Sequence, residues 1–215
     1  MQFQSRTVAL SLVGWMLGCA AHAGTVSDGG FASWEFGSTG SATVSRETAG
    51  GNPGNRLNVT TISGPQVYGT ALKTDFTTAA VLEGAAFTLS LDVLSGANAS
   101  GQGQVIGMLV LQGSSLYAEI LGNTGFPHNW DTVTFSNTFN AASFNKLVGP
   151  DAAHPDFGGG VPTLFGFAAG NALSGTLTQY YDNYLLTSAA GPEPGSAALL
   201  LAGLVAVGAL ARRRR

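Results

Sequence analysis

Alternation of apolar and polar residues in the middle of the chain is the feature that most limits its fold. Between positions 86 and 94, an apolar residue occupies every second position: Phe87, Leu89, Leu91 and Val93, with Thr88, Ser90 and Asp92 between them. A period of two places one set of side chains on a buried face and the other set in water. The segment therefore predicts a strand of an antiparallel sheet with one solvated face.

Similar strand signals recur along the chain, with glycine-rich turns between them. Strands are predicted at 56–62, 68–76, 86–94, 105–111, 116–121, 131–139, 164–168 and 177–186. The 105–111 segment is almost wholly apolar, which is typical of a central strand covered on both faces. Short strands at regular spacing predict an all-β fold, a β-sandwich of jelly-roll type.

The first 23 residues have the pattern of a secretory signal peptide. An apolar stretch follows Arg6, and the small residues of Ala21-His22-Ala23 precede Gly24, where cleavage is expected. A lipoprotein signal ending at Cys19 is the alternative. Because Cys19 is the only cysteine, a chain cleaved after Ala23 has neither a disulfide nor a thiolate metal site.

The last 25 residues read as a membrane-associated tail. Pro192, Glu193 and Pro194 precede an apolar segment at 196–211, and Arg212, Arg213, Arg214 and Arg215 end the chain. The uncharged run 197–211 would span about 22 Å as a helix, short of a hydrocarbon core of about 30 Å. Arginines are retained on the cytoplasmic side of a membrane. The tail therefore predicts a short C-terminal transmembrane helix.

The order of these three parts resembles the PEP-CTERM sorting signal of Gram-negative bacteria. The resemblance implies recognition of the tail by an exosortase-type membrane protease. It also implies export, transient anchoring in the inner membrane, and then delivery to the cell surface or the extracellular matrix. An ordinary single-pass anchor is the alternative.

The predicted ectodomain, 24–190, is acidic and weakly charged. It has four basic and eleven acidic residues, which gives a formal charge of −7. A negative surface repels phosphate backbones, which argues against nucleic acid as a partner.

Two segments near the ends of the domain carry a second resemblance. The segments 28–34 (Asp-Gly-Gly-Phe-Ala-Ser-Trp) and 180–186 (Tyr-Tyr-Asp-Asn-Tyr-Leu-Leu) are similar to the terminal strands of jelly-roll carbohydrate-binding modules. In those modules the two strands lie close together and often hold a structural calcium ion. The resemblance implies Ca²⁺ at Asp28 and Asp182, although calcium takes about six to eight oxygen ligands. The alternative is that Asp28 caps a turn. No other cofactor is expected.

Candidate ligand-binding residues lie in a polar loop. Trp130 offers a flat stacking face, and the neighbouring His128 and Asn129 offer hydrogen-bond donors. Tyr117 is the second stacking candidate. The alternative is a turn whose tryptophan covers the end of the sandwich. A second group, Asp151, His154 and Asp156, has metal-ligand chemistry, but turn-forming aspartates are favoured there.

No catalytic motif is present, and no catalytic residue is predicted. The favoured function is a non-enzymatic structural or adhesive protein of exopolysaccharide or biofilm. The alternative is a lectin-like module that binds a neutral polysaccharide. An envelope enzyme is a weaker hypothesis and would need a close acid pair in a cleft. Ice binding is also weaker, since no regular Thr-x-Thr array is evident.

Overall fold

Two six-stranded antiparallel sheets make up the folded part of the chain. The computed structural model describes residues 24–62, 68–78, 81–98, 103–171 and 175–189. The predicted signal peptide at 1–23 and the sorting tail at 191–215 lie outside the described residues. Within the described residues there are twelve strands and one 3₁₀ turn, Ala141–Ser143. The predicted all-β sandwich is confirmed.

The first sheet, sheet A, is built around the longest strand. Its members are β1 (Gly24–Asp28), β3 (Thr43–Gly51), β4 (Gly54–Ile62), β6 (Ala86–Ser95), β9 (Asp131–Thr138) and β12 (Thr176–Ser188). The order is β3-β4-β12-β6-β9, and β1 also pairs with β12. β12 therefore has three partner strands.

The second sheet, sheet B, lies against the inner face of sheet A. Its members are β2 (Trp34–Ser38), β5 (Tyr68–Lys73), β7 (Val105–Gln112), β8 (Ser115–Asn123), β10 (Asn145–Val148) and β11 (Thr163–Gly170), in the order β10-β8-β7-β11-β5-β2. Most connections pass from one sheet to the other, as in a jelly roll.

The alternation in β6 is confirmed by the burial of its side chains. Phe87, Leu89, Leu91 and Val93 are at most 2% exposed and belong to the core between the sheets. Thr88 and Ser90 face outward and pair with hydroxyls of β9.

The predicted central strand is confirmed as well. In β7, Met108 and Val110 lie in the core, and Leu109 on the opposite face is also fully buried.

Four strands that the sequence did not predict are β1, β2, β3 and β10. All are short or largely exposed, and β2, β3 and β10 lie at sheet edges. Edge strands carry polar residues because a flat apolar edge would pair with other chains. Their sequences therefore lack the apolar alternation that marks the inner strands.

Aromatic residues fill the region where the terminal strands meet sheet B. The Trp34 ring packs edge-on against Phe31 at 5.0 Å and against Tyr184 at 4.9 Å between centroids. Phe167 of β11 contacts all three of these rings. No cysteine occurs among the described residues, so burial of apolar surface is the main stabilising force in this part of the chain.

Truncation on the two faces of β6 should have unequal costs. We expect Leu89→Ala to reduce the free energy of unfolding by about 2–5 kcal/mol, since it removes a fully buried side chain. Thr88→Ala, on the solvated face of the same strand, should change it by only about 0.5 kcal/mol. Urea denaturation of both variants measures the difference. Equal losses would contradict the one-sided burial of this strand.

Candidate functional site

Three of the four predicted ligand-binding residues lie in one loop at the end of the sandwich. Loop 124–130 joins β8 to β9, and we call it the ligand loop. His128 and Asn129 are exposed, and Trp130 is half-buried at the start of β9. The three side chains that were predicted to act together are therefore adjacent at the surface.

A cluster of buried polar side chains lies beneath the ligand loop. Gln104, Gln179, Thr61 and Tyr181 are fully buried, and Thr124 is 5% exposed. We call these five residues the glutamine cluster. The Tyr181 hydroxyl donates to Gln104 Oε1 at 2.6 Å, and Gln104 Nε2 donates to Thr61 Oγ1 at 3.0 Å. A buried network with its bonds satisfied fixes its members in one arrangement.

Hydrogen bonds connect the loop backbone to the sandwich at three positions. Thr124 N donates to the Gln104 carbonyl at 2.9 Å, Gln179 Nε2 donates to the Gly125 carbonyl at 3.0 Å, and Ser95 N donates to the Pro127 carbonyl at 2.8 Å. Gly125 has a φ of 71°, which favours glycine there. The first half of the loop is thus fixed, while His128 and Asn129 project into solvent.

The prediction that Tyr117 is a stacking residue is wrong. Tyr117 is 2% exposed and belongs to the core, and its hydroxyl donates to the Ala152 carbonyl at 3.1 Å. The reason is the strand period: β8 turns Ser115, Tyr117 and Glu119 inward. Tyr117 therefore has no free face for a ligand.

Asp28 is engaged in an ion pair. Its Oδ1 accepts from the backbone of Gly30 at 2.6 Å and Phe31 at 2.9 Å, and Lys73 Nζ contacts its Oδ2 at 3.0 Å. Lys73 also contacts Asp75 at 2.6 Å. Burial favours the neutral form of Asp28, but these hydrogen bonds and the lysine charge outweigh it and lower its pKa. The alternative that Asp28 caps a turn agrees with these contacts.

Asp182 lies in a different environment, beside Asp92. The two are register partners on β12 and β6, and they are 0% and 8% exposed. Asp182 accepts from the backbone of Asn52 and Asn183. Asp92 accepts from Thr132 at 2.6 Å and from the side-chain amides of Asn52 and Asn183. Burial raises the pKa of Asp182, and the negative charges of Asp92 and Asp28 raise it further.

The carboxylates considered for calcium are engaged in hydrogen bonds within the protein. Each carboxylate oxygen of Asp28, Asp92 and Asp182 accepts at least one hydrogen bond. In the described part of the chain, no group of three or more His, Cys, Asp or Glu side chains could hold a metal ion. The calcium hypothesis for Asp28 and Asp182 stays a prediction.

The acid pair and the proline-rich loop do not supply catalytic chemistry. Asp92 and Asp182 are buried and fully hydrogen-bonded, not open in a cleft. Asp156 accepts from the backbone of Gly158 and Gly159, as a turn-forming aspartate does, and Asp151 accepts from Ser114 N. Asp156 is therefore a turn-forming aspartate, whereas Asp151 bonds to the turn between β7 and β8.

A short row of hydroxyl side chains lies on the outer face of β9. Thr132, Thr134, Ser136 and Thr138 follow one another on the outer face of β9, each directly opposite an outer-face residue of β6. Ser90 and Thr134 hydroxyls are 3.0 Å apart, and Thr88 and Ser136 hydroxyls 3.3 Å apart. Solvated faces of antiparallel sheets are commonly polar. This array therefore does not distinguish between the proposed classes of function.

Glu119 is a buried acid that the sequence reading missed. It is 8% exposed and lies between β8 and β9, where Asn137 Nδ2 donates to its Oε1 at 2.8 Å. Its Oε2 is buried. Burial raises the pKa of Glu119, and hydrogen bonds from the side chains of Asn137 and Ser143 offset this only in part. The alternation of β8 places position 119 on the inner face of the strand, and this pattern could have indicated that Glu119 is buried.

The tail of the chain is similar to a known sorting signal. Residues 192–215 match the PEP-CTERM protein-sorting motif, so the resemblance seen in the tail is confirmed. The residues of this motif, Pro192, Glu193, Pro194 and the four terminal arginines, lie outside the described part. No helix in the described part is long and apolar enough to cross a membrane. No curated protein matches the chain.

Solved structures similar to the chain include carbohydrate-binding modules. The family 11 module of the cellulosomal cellulase Lic26A-Cel5E of Clostridium thermocellum is 18% identical, with a TM-score of 0.45, and the match covers 76% of this chain and 94% of that one. The CBM22-1 xylan-binding domain of Paenibacillus barcinonensis Xyn10C is 11% identical, with a TM-score of 0.48, covering 80% and 99%. The xylan-binding module CBM15 is 13% identical, with a TM-score of 0.44, covering 80% and 100%. At this similarity no site residue is transferred to this chain.

Glu119 should make stability fall as the pH rises. The unfolded carboxyl titrates near its ordinary value of 4.5, and the folded one titrates at a higher pH. The unfolded state therefore loses its proton first, and the folded state is disfavoured as pH rises above 4.5. We expect Glu119→Gln to reduce this loss in urea denaturation between about pH 4 and 7. Asp182 has a shift of the same sign, so some pH dependence should remain.

The matched control is Glu35→Gln, which alters an exposed glutamate on β2. It should leave the pH dependence as in the wild type. If Glu119→Gln kept the full wild-type pH dependence of stability, burial would not raise the pKa of Glu119 in the folded protein.

Proposed function

We propose that this is an exported, non-enzymatic protein of the cell surface or extracellular matrix of a Gram-negative bacterium. In this proposal it is a structural or adhesive component of exopolysaccharide or biofilm. The observation that carries the proposal is the sorting motif at 192–215, joined to a β-sandwich. The tail would anchor the chain transiently in the inner membrane until an exosortase-type protease processes it.

The electrostatics of the domain favour a neutral polymer as its partner. All four basic side chains of the domain are engaged within the protein. Lys73 pairs with Asp28 and Asp75, and Arg56 pairs with Glu47 at 2.5 Å and lies over the Tyr180 ring. Arg46 Nε donates to the Gly30 carbonyl and Lys146 Nζ to that of Asp151. With a formal charge of −7, the domain has no cationic cluster for sulfate, phosphate or uronate groups.

A lectin-like role is the second candidate, favoured by the ligand loop. Its backbone is fixed by the glutamine cluster, and Trp130, His128 and Asn129 lie together at the surface. A preorganised loop loses little conformational freedom on binding. In this proposal Trp130 stacks on a sugar ring, and His128 and Asn129 hydrogen-bond to hydroxyls.

Changing the motif should stop processing of the tail. We expect Glu193→Ala to leave full-length protein in the inner membrane, because the protease would lose its recognition site. Wild-type protein should lack Arg212 to Arg215 and begin near Gly24 in mass spectrometry of the mature form. Glu35→Ala, outside the motif, is the control. Wild-type protein recovered with its arginines intact would leave a plain anchor, and a lipid-modified Cys19 would overturn the cleavage site.

Glycan binding is tested with the full chain in detergent, on neutral and acidic polysaccharides. We expect binding to the neutral set, with Trp130→Ala weakening it by about fivefold, since a stacked aromatic ring contributes on the order of 1 kcal/mol. Tyr117→Phe is the matched control and should bind normally, because that ring is buried. Repeating the measurement with a chelator tests the proposed calcium. Tight binding to acidic polymers that is unchanged in Trp130→Ala would contradict the lectin-like role.

A further inference from the structure

Gln179 is an amide buried inside a strand that is otherwise apolar on its inner face. It is fully buried on β12, between Leu177 and Tyr181 in the inward alternation. Burying a carboxamide is unfavourable unless its oxygen and its NH₂ group are hydrogen-bonded. A leucine at this position would not carry the desolvation cost of a carboxamide.

Both ends of the Gln179 amide are used, and they bind different segments. Oε1 accepts from Thr124 Oγ1 at 2.6 Å and from Gln104 N at 2.8 Å. Nε2 donates to the Gly125 carbonyl at 3.0 Å and to Ser95 Oγ at 3.1 Å. One planar group therefore joins the start of the ligand loop, the end of β6 and the residue before β7.

We infer that Gln179 is a positioning residue that holds the ligand loop, and with it Trp130, in one binding-competent arrangement. The inference rests on the proposed lectin-like role of that loop. The loop backbone bonds to Gln179 at Gly125 and to Ser95 at Pro127, and Ser95 is itself bonded to Gln179. The exposed His128 and Asn129 follow directly after these two attachment points. Loss of the amide should therefore free the segment that precedes the ligand-facing side chains.

A second buried glutamine supplies a matched comparison at the other end of the sandwich. Gln112, at the end of β7, is 6% exposed. Its Nε2 donates to the Asp156 carbonyl at 3.0 Å and to Thr163 Oγ1 at 2.8 Å, and its Oε1 accepts from Asp156 N at 2.7 Å. Gln112 thus bonds to the loop before β11 as Gln179 bonds to the ligand loop. The two differ in which loop they hold.

The experiment compares Gln179→Glu with Gln112→Glu in the full chain. Each change keeps the shape and an acceptor oxygen but removes the NH₂ donor and places a carboxyl oxygen against a carbonyl. We expect Gln179→Glu to raise amide hydrogen exchange in residues 124–130 by about tenfold or more, as expected for local opening. Its affinity for the neutral polysaccharide bound by the wild type should fall as far as that of Trp130→Ala. Gln112→Glu should raise exchange near Asp156 and leave both readouts of the ligand loop unchanged.

Thr124→Val is the milder variant, for use if Gln179→Glu does not fold. It removes one donor to Gln179 without adding charge, and it should raise loop exchange to a smaller extent. Unchanged exchange in 124–130 in both variants would overturn the inference, as would an equal rise in Gln112→Glu. Raised exchange with undiminished binding, while Trp130→Ala abolishes binding, would also overturn it. If the wild type binds no polysaccharide, the lectin-like role fails, and the exchange data alone decide whether Gln179 holds the loop.

Discussion

The pairing of β12 with three other strands is the interaction on which the rest of the structure depends. This strand of thirteen residues hydrogen-bonds to β4 with its first half, to β1 with its second half and to β6 along its other edge. Its inward side chains include Gln179, Tyr181 and Tyr184, so the same strand supplies both the aromatic packing and the polar cluster. No cysteine occurs in this part of the chain, so no disulfide adds to the packing and strand pairing that β12 provides.

The inner strands could be predicted from the sequence because burial of one face of a strand makes every second residue apolar. β6 and β7 show this directly, one by alternation and the other by an unbroken apolar run. The adjacency of the terminal strands was also predictable, and it is confirmed by the pairing of Asp28 with Tyr184 across β1 and β12. The edge strands β2, β3 and β10 lack this pattern, because most of their side chains are exposed, whereas the edge strand β9 still shows it.

The polar partners could not be predicted, because they are set by tertiary contacts far apart in the chain. Asp28 and Asp182 look equivalent in sequence, yet of these two it is Asp28 that pairs with Lys73, 45 positions away in the chain. Asp182 instead lies beside Asp92 with two asparagines.

Tyr117 illustrates the opposite case. Its inward position follows from the alternation of β8, and reading that period through position 117 would have excluded it as a ligand residue.

The direction of β12 relates the sorting tail to the ligand loop. β12 begins at the level of the glutamine cluster and ends at Ser188, opposite Gly24, so both ends of the described domain lie at the far end of the sandwich from the loop. Gln179 and Ser188 are nine positions apart on β12, a distance of about 30 Å at roughly 3.3 Å per residue. The sorting motif begins four residues beyond Ser188. If the tail holds the chain in a membrane, the end of β12 near the ligand loop would lie about 30 Å along the strand from the end that leads to the tail. This separation would already exist before the tail is processed.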